Sequence, residues 1–272
     1  MVDQPYAASV SAHYTSGDLG ERILAGLRAA GKDPDALTID DLTPVDQFHP
    51  GGKPATLQLI ERAGMRPRMS VLDVGGGLGG PARTLATQRD ATVTVLDLSE
   101  EFCRVGEMLT ARTDLSDRVT FRHGNALALP FADNSFDLVW TQFSTMNVAD
   151  KQALAAEIHR VVRPGGRYAL HETMAGPVQP IHFPVPWAND PSISFLQSPE
   201  DARATLAAAG FTEIAWAELA APEIPASSAP SGPPPLGMQI LIDNIGEKMR
   251  NLRRNHDEGR IVTVQGVFER LP

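Results

Sequence analysis

The chain has 272 residues, 42% hydrophobic and 21% charged, an ordinary globular balance with room for one large α/β domain and appendages. Its formal net charge of -9 argues against a nucleic-acid substrate, because an enzyme that grips phosphates needs a Lys/Arg surface. The single cysteine, Cys103, excludes an intramolecular disulfide and a cysteine-based metal site, and no cluster with metal-ligand spacing stands out, so no metal is expected.

Met1-Val2-Asp3-Gln4-Pro5 lacks the basic start and apolar core of a signal peptide. No apolar run approaches the ~18 residues of a membrane span. A cytoplasmic, membrane-free protein is the expectation. Asp18 with Glu21 reads as a capping box for a helix whose Leu19, Ile23 and Leu27 share one face, stopped by Gly31-Lys32-Asp33-Pro34. Asp46–Lys53 reads as a loop, followed by a helix from about Pro54 to Ala63.

The centre alternates strand and helix. Strands are expected at Met69–Val74, Thr92–Leu98, Val119–His123, Phe136–Gln142 and Arg167–Glu172. Between them lie helices at Pro81–Gln88, from Ser99 to about Arg112, and at Lys151–Val162. Ser198 opens another helix that ends at Gly210; Phe211–Leu219 and Arg260–Arg270 read as late strands, with an apolar helical stripe at Leu241, Ile245, Met249 and Leu252 between them. This rhythm predicts an α/β fold, Rossmann-like, with a seven-stranded, mainly parallel sheet and helices on both faces. Residues 1–68 are expected to form a helical lid and cofactor-covering segment, and 69–272 the catalytic domain, with inserted segments 176–197 and 221–256. The 221–235 stretch, rich in Pro, Ala and Ser, reads as a linker.

Gly75-x-Gly77-x-x-Gly80 follows a strand and opens a helix, the context in which such glycines let a backbone approach a nucleotide cofactor. Nicotinamide enzymes share that pattern. Asp73 shifts the weight, because a strand-end carboxylate two residues before the first Gly suits an ammonium and sulfonium better than a pyrophosphate. Asp97 ends the next strand, where an acid can hold two ribose hydroxyls.

Val71-Leu72-Asp73-Val74-Gly75-x-Gly77, Leu129-Pro130-Phe131-x-x-x-Ser135-Phe136-Asp137 and Arg160-Val161-x-Arg163-Pro164-Gly165-Gly166 resemble the class I S-adenosylmethionine (SAM)-dependent methyltransferases. The subgroup they resemble is the small-molecule enzymes related to the ubiquinone/menaquinone, tocopherol and sarcosine/dimethylglycine methyltransferases. The resemblance implies SAM as cofactor and S-adenosylhomocysteine as product. It places Asp73, Gly75, Gly76 and Gly77 at the methionine part of SAM, Asp97 on the ribose and Leu98, Asn125 and Ala126 around the adenine. The family usually carries Asp at position 125, where Asn125 can still accept through its amide oxygen. The resemblance also sets Thr141 and Gln142 at the junction of cofactor and acceptor, and Tyr14 in a lid.

The acceptor side is less specified. Ligands in open α/β sheets sit beyond the carboxyl ends of strands, so His171, Glu172 and Asn147 are candidate catalytic residues. Related O-methyltransferases carry histidines where this chain has Met146-Asn147, which weakens the expectation of a histidine base. His171 and Glu172 are neighbours in a strand and point to opposite faces. Tyr14, His49, Phe143, Met146, His182 and Trp187 are candidate acceptor contacts. If Phe143, Met146, Phe183, Trp187 and Phe195 line the pocket, the acceptor is moderately apolar; they could equally pack a core beneath a long loop. The expected activity is methyl transfer to a small molecule, with oxygen or nitrogen favoured as the receiving atom and a homodimer possible. Two alternatives stay open: a methyltransferase fold used for other chemistry or for binding, and an NAD(P)-dependent oxidoreductase.

Overall fold

The computed structural model describes residues 9, 10, 13, 17–47, 49–220 and 236–271. Tyr14 and the 221–235 linker lie outside them. Seven strands form one sheet in the order β3-β2-β1-β4-β5-β7-β6. They are β1 (Ser70–Val74), β2 (Thr92–Asp97), β3 (Val119–His123), β4 (Phe136–Gln142), β5 (Val162–Ala175), β6 (Phe211–Leu219) and β7 (Ile261–Arg270). β1 to β5 run parallel, and β7 is antiparallel to both β5 and β6. The strand order reverses between β1 and β4, which opens a crevice at their carboxyl ends.

β5 is longer than expected at both ends. Its partner β7 pairs with it from Arg167 to Ala175, and beyond an irregularity Val162 still pairs with Phe136 of β4. The Pro164-Gly165-Gly166 turn is therefore a kink inside a strand, with Gly165 at φ +75°.

Eight helices are described: α1 (Leu19–Ala29), α2 (Ile39–Asp46), α3 (Gly52–Arg62), α4 (Gly80–Arg89), α5 (Glu100–Ala111), α6 (Lys151–Val161), α7 (Pro199–Ala208) and α8 (Ile245–Asp257). One expectation near the start needs correction. Asp18 makes no side-chain cap. Instead Glu101 of α5 accepts from Gly17 N and Leu19 N, each at 3.1 Å, so a distant carboxylate starts α1. α2, which was not singled out from the sequence, carries Pro44 in its interior; Thr38 and Asp41 cap it, the Thr38 N–H donating to Asp41 at 2.9 Å, and Leu42 and Val45 bury its apolar side. At the other end Leu241 precedes α8 and packs with the Leu19–Leu27 cluster, while Leu252 faces a different one.

One core, including Leu59, Ile60, Leu85, Val93 and Trp140, fills the α3–α4 face of the sheet; a second, including Val139, Leu154, Ile158, Leu206 and Phe268, fills the α6–α7 face. A third cluster joins Val10, Met146, Ile181, Trp187, Ile193 and Leu252 across the 176–197 insertion. No helix among the described residues is long and apolar enough to cross a membrane.

Candidate active site

The crevice at the switch point is a cavity of about 1220 Å³ of atom-free space, part of it open to solvent. Its floor is the turn after β1. Gly75 (φ +71°) and Gly77 (φ +56°) take left-handed conformations that side chains disfavour. At Gly76 the constraint is space, since a Cβ there would stand 2.6 Å from Asp73 Oδ2. At Gly80 a Cβ would stand 2.1 Å from the Asp46 carbonyl. Gly75, Gly76 and Gly77 therefore bring bare backbone up to the cavity.

Two carboxylates end β1 and β2. Asp97 is engaged with the turn, accepting from Gly77 N at 2.9 Å and from Ser99 N at 2.8 Å. Burial raises its pKa while these backbone donors pull it back. Asp73 is different. It is 1% exposed, lines the cavity, and neither oxygen has a partner. Burial, with the adjacent Asp97 charge, pushes it up to about 8. A third acid, Asp46 at the end of α2, is half-satisfied: Oδ2 accepts from buried Arg83 at 2.8 Å, and Oδ1 has no partner.

Of the expected cofactor residues, Asp73, Gly75, Gly76, Gly77, Asp97, Leu98, Asn125, Ala126 and Gln142 line this cavity. Asn125 Oδ1 already accepts from Leu127 N at 2.9 Å. Thr141 does not line it; it is fully buried and its hydroxyl meets the Tyr168 hydroxyl at 2.9 Å, because alternation in β4 turns it to the opposite face from Gln142.

The catalytic candidates divide. Asn147 lines the cavity, and its Nδ2 donates to the Trp187 and Ile193 carbonyls at 2.9 and 2.7 Å. Glu172 lies beneath, 1% exposed, held by Thr141 and facing Thr145 N at 3.3 Å. Burial raises its pKa to about 7 against the pull of Thr141 and Lys151. Lys151, lowered to about 8 by burial, donates to the Thr145 and Val148 carbonyls. Glu172 and Lys151 thus brace the turn after β4 from below.

His171 points to the other face and belongs to a polar chain. Trp140 Nε1, which can only donate, gives its hydrogen to Gln142 Oε1 at 3.2 Å. That orients the amide. Gln142 Nε2 then donates to Nδ1 of His49 at 3.2 Å and Nδ1 of His171 at 3.0 Å. Both imidazoles are neutral, lowered by burial to about 4 and about 3. His49 Nε2–H donates to Gln47 Oε1 at 3.1 Å.

Among the expected acceptor contacts, His49 and Phe143 line the cavity. Met146, His182 and Trp187 do not. Met146 and Trp187 are packed in the third cluster, and His182 pairs with Glu258 at 2.9 Å. Ser144, Thr145 and Pro81 line the cavity without having been singled out. Ser144 reaches back to the Val74 carbonyl at 2.7 Å, a contact made by the positive φ of Phe143 (+53°), which no local motif announces. Among the described residues no three of His, Cys, Asp or Glu group as a metal site requires.

Residues 72–170 match a family model described as a methyltransferase domain. The 27-O-demethylrifamycin SV methyltransferase of Amycolatopsis mediterranei is 38% identical over 127 residues, 45% of this chain and 47% of that one. The chain spans about half or less of the length of the curated relatives it matches. Among solved structures, a geranyl diphosphate C-methyltransferase from Streptomyces coelicolor A3(2) superposes with TM-score 0.71 over 100% of both chains at 17% identity. A [4+2]-cyclase, SpnF, superposes at 0.64, with 21% identity over 93% of this chain and 94% of that one. Residues 72–170 are therefore similar to a methyltransferase domain, in keeping with the class I, SAM-dependent family that the glycine turn and its two strand-end acids resemble.

Proposed function

We propose that the chain is a SAM-dependent methyltransferase that acts on a small, moderately apolar molecule through an oxygen or nitrogen atom. The observation that carries the cofactor is Asp73: a buried carboxyl with no partner, set against Gly75 and Gly76, where a side chain has no room. An unpaired buried acid favours a ligand that brings a cation and donors, and a ligand with an ammonium and a sulfonium meets that need. A pyrophosphate would add negative charge beside Asp73, Asp97 and Asp46, which disfavours the oxidoreductase alternative.

SAM supplies, when bound, a methyl group on a positively charged sulfur. Asp73 would hold the cationic end, Asp97 would keep lone pairs for ribose hydroxyls after serving Gly77 and Ser99, and Leu98 and Ala126 would pack the base. The remaining residues orient the acceptor and exclude water, through Phe143, His49 and the Ser144–Thr145 turn. His49 is a poor base: one nitrogen accepts from Gln142 and the other donates to Gln47. Glu172 is sealed under the turn. The arrangement suits an acceptor whose proton leaves to water, such as an amine or an acidic phenol or enol, rather than a simple alcohol that needs a positioned base.

The test is a mass-shift screen of small-molecule extracts with trideuteromethyl-SAM, alongside thermal shifts. S-adenosylhomocysteine is expected to stabilise the protein and NADH is not. No stabilisation by the former well above micromolar concentration overturns the reading. Binding without methyl turnover on any acceptor favours the non-methylating alternative, a use with which the fold shared with SpnF is compatible.

A further inference from the structure

His171 also lines a second cavity, open to solvent on one side and with about 780 Å³ of atom-free space that includes part of that opening, between the start of α3, β5, β7 and the end of β6. Its walls are mostly apolar, with Pro54, Ala55 and Leu219 among them, and Gln58 and Thr263 add polar groups; none of the lining residues carries a formal charge. It is divided from the cofactor cavity by three touching rings. His49 and Phe143 stack at 5.9 Å, Phe143 meets His171 edge-on at 4.7 Å, and His49 meets His171 at 5.6 Å. His49 and Phe143 face the cofactor side, and His171 faces the second cavity.

The hydrogen-bond polarity fixes what His171 presents. Trp140 sets the Gln142 amide, the amide donates to His171 Nδ1, and a neutral imidazole then carries its hydrogen on Nε2. That Nε2 is fully buried and has no partner. The neighbouring polar side chains are committed elsewhere: Gln265 donates to the Ala55 carbonyl and Thr263 pairs with His256. A buried donor in such a wall calls for an acceptor atom.

We propose that this cavity is a second ligand site, which takes an uncharged, largely apolar molecule whose carbonyl or ether oxygen accepts from His171 Nε2–H while the cofactor cavity is filled. A carboxylate fits less well, because no cationic side chain lines the walls. The proposal rests on the cofactor reading only for the claim that both cavities fill together.

The test uses the full chain saturated with S-adenosylhomocysteine, with cyclohexanone as the probe and methylcyclohexane as the control of similar size. Cyclohexanone is expected to bind about fivefold more tightly, the worth of one hydrogen bond. With ¹⁵N-histidine labelling, the His171 Nε2 resonance is expected to move with cyclohexanone and stay put with methylcyclohexane. In His171→Phe the preference is expected to fall to about one. Equal binding of the two probes by the wild type, an unmoved Nε2 resonance, or exclusion of cyclohexanone by S-adenosylhomocysteine overturns the proposal. The resonance decides the matter if the variant does not fold. Stabilisation by S-adenosylhomocysteine alone is a separate readout, so failure here leaves the cofactor reading standing, and the reverse.

Discussion

The carboxyl ends of β1 and β2 and those of β4 and β5 lie side by side and treat their polar residues in opposite ways. At the first rim Asp73 is buried without a partner and Asp97 serves only backbone donors. At the second, Gln142, His171, Glu172 and Thr141 are tied to one another or to neighbours, leaving Nε2 of His171 over. The first rim leaves a buried carboxyl open at the cavity, as the proposed cofactor site requires. The second is arranged to hold a turn and a wall. Nearness to a strand end therefore does not make a residue catalytic; an unsatisfied atom facing a cavity is the better sign.

Asp46 lies between these two kinds, paired on one oxygen and open on the other, and gives the largest expected effect. Arg83→Ala strips the buried guanidinium from Asp46, Thr110 and the Leu78 carbonyl together. Leaving a buried carboxylate unpaired costs about 3–5 kcal/mol. At roughly 2–4 °C per kcal/mol for a chain of this size, the melting temperature should fall by about 6–20 °C. A fall under ~2 °C in calorimetry would show that Asp46 is readily neutralised and belongs with Asp73.

Next come the changes to the first rim. Asp97→Ala removes the acceptor for Gly77 N and Ser99 N as well as the proposed ribose contact. Affinity for S-adenosylhomocysteine by titration calorimetry should drop ten- to a hundredfold, about 1.4–2.7 kcal/mol. An unchanged affinity refutes the role. Glu172→Gln tests the second rim and should do less. It keeps an acceptor for Thr145 but leaves Lys151 without its countercharge, at a cost of about 1–2 kcal/mol of stability. S-adenosylhomocysteine affinity should move less than threefold (under about 0.7 kcal/mol). A turnover loss of a hundredfold or more with stability intact would return Glu172 to a direct role.

The first rim was legible in the sequence because its signals are local. A glycine spacing after an apolar strand, with acids at two strand ends, is written within Val71–Asp97. The seven strands were legible for the same reason, each being a short apolar or β-branched run. Thr141 was misplaced because a shift of one residue along a strand reverses the face. α2 was not singled out within the helical N-terminal stretch, because Leu42 and Val45 find their burial only in tertiary contact. The bracing of the Ser144–Thr145 turn by Glu172 and Lys151, and the amide that orients two histidines, depend on side chains from separate elements meeting. The candidate acceptor residues Met146, His182 and Trp187 failed to reach the cavity on the same ground: their neighbours are the insertion and α8, which no local pattern pairs with them.

The most discriminating test reads the unpartnered carboxyl itself. Asp73 titrates near 8 in the folded chain and near 3.8 in the unfolded one. Between those values the folded state holds more protons, so stability is fully present at low pH and is lost as pH rises toward 8. The slope contributed by one such group is at most about 1.4 kcal/mol per pH unit. Asp73→Asn keeps the size and removes the titration, so its stability should fall less steeply between pH 5 and 8 than that of the wild type. Ligand binding should reverse the sign of the cost. A cation brought against Asp73 favours the ionised form, so S-adenosylhomocysteine binding at pH 7 should release up to one proton, seen as a dependence of the calorimetric enthalpy on buffer ionisation heat. The variant should release none. Proton release that persists in Asp73→Asn would assign the titration to Asp46 or Asp97 and move the cationic end of the ligand away from β1.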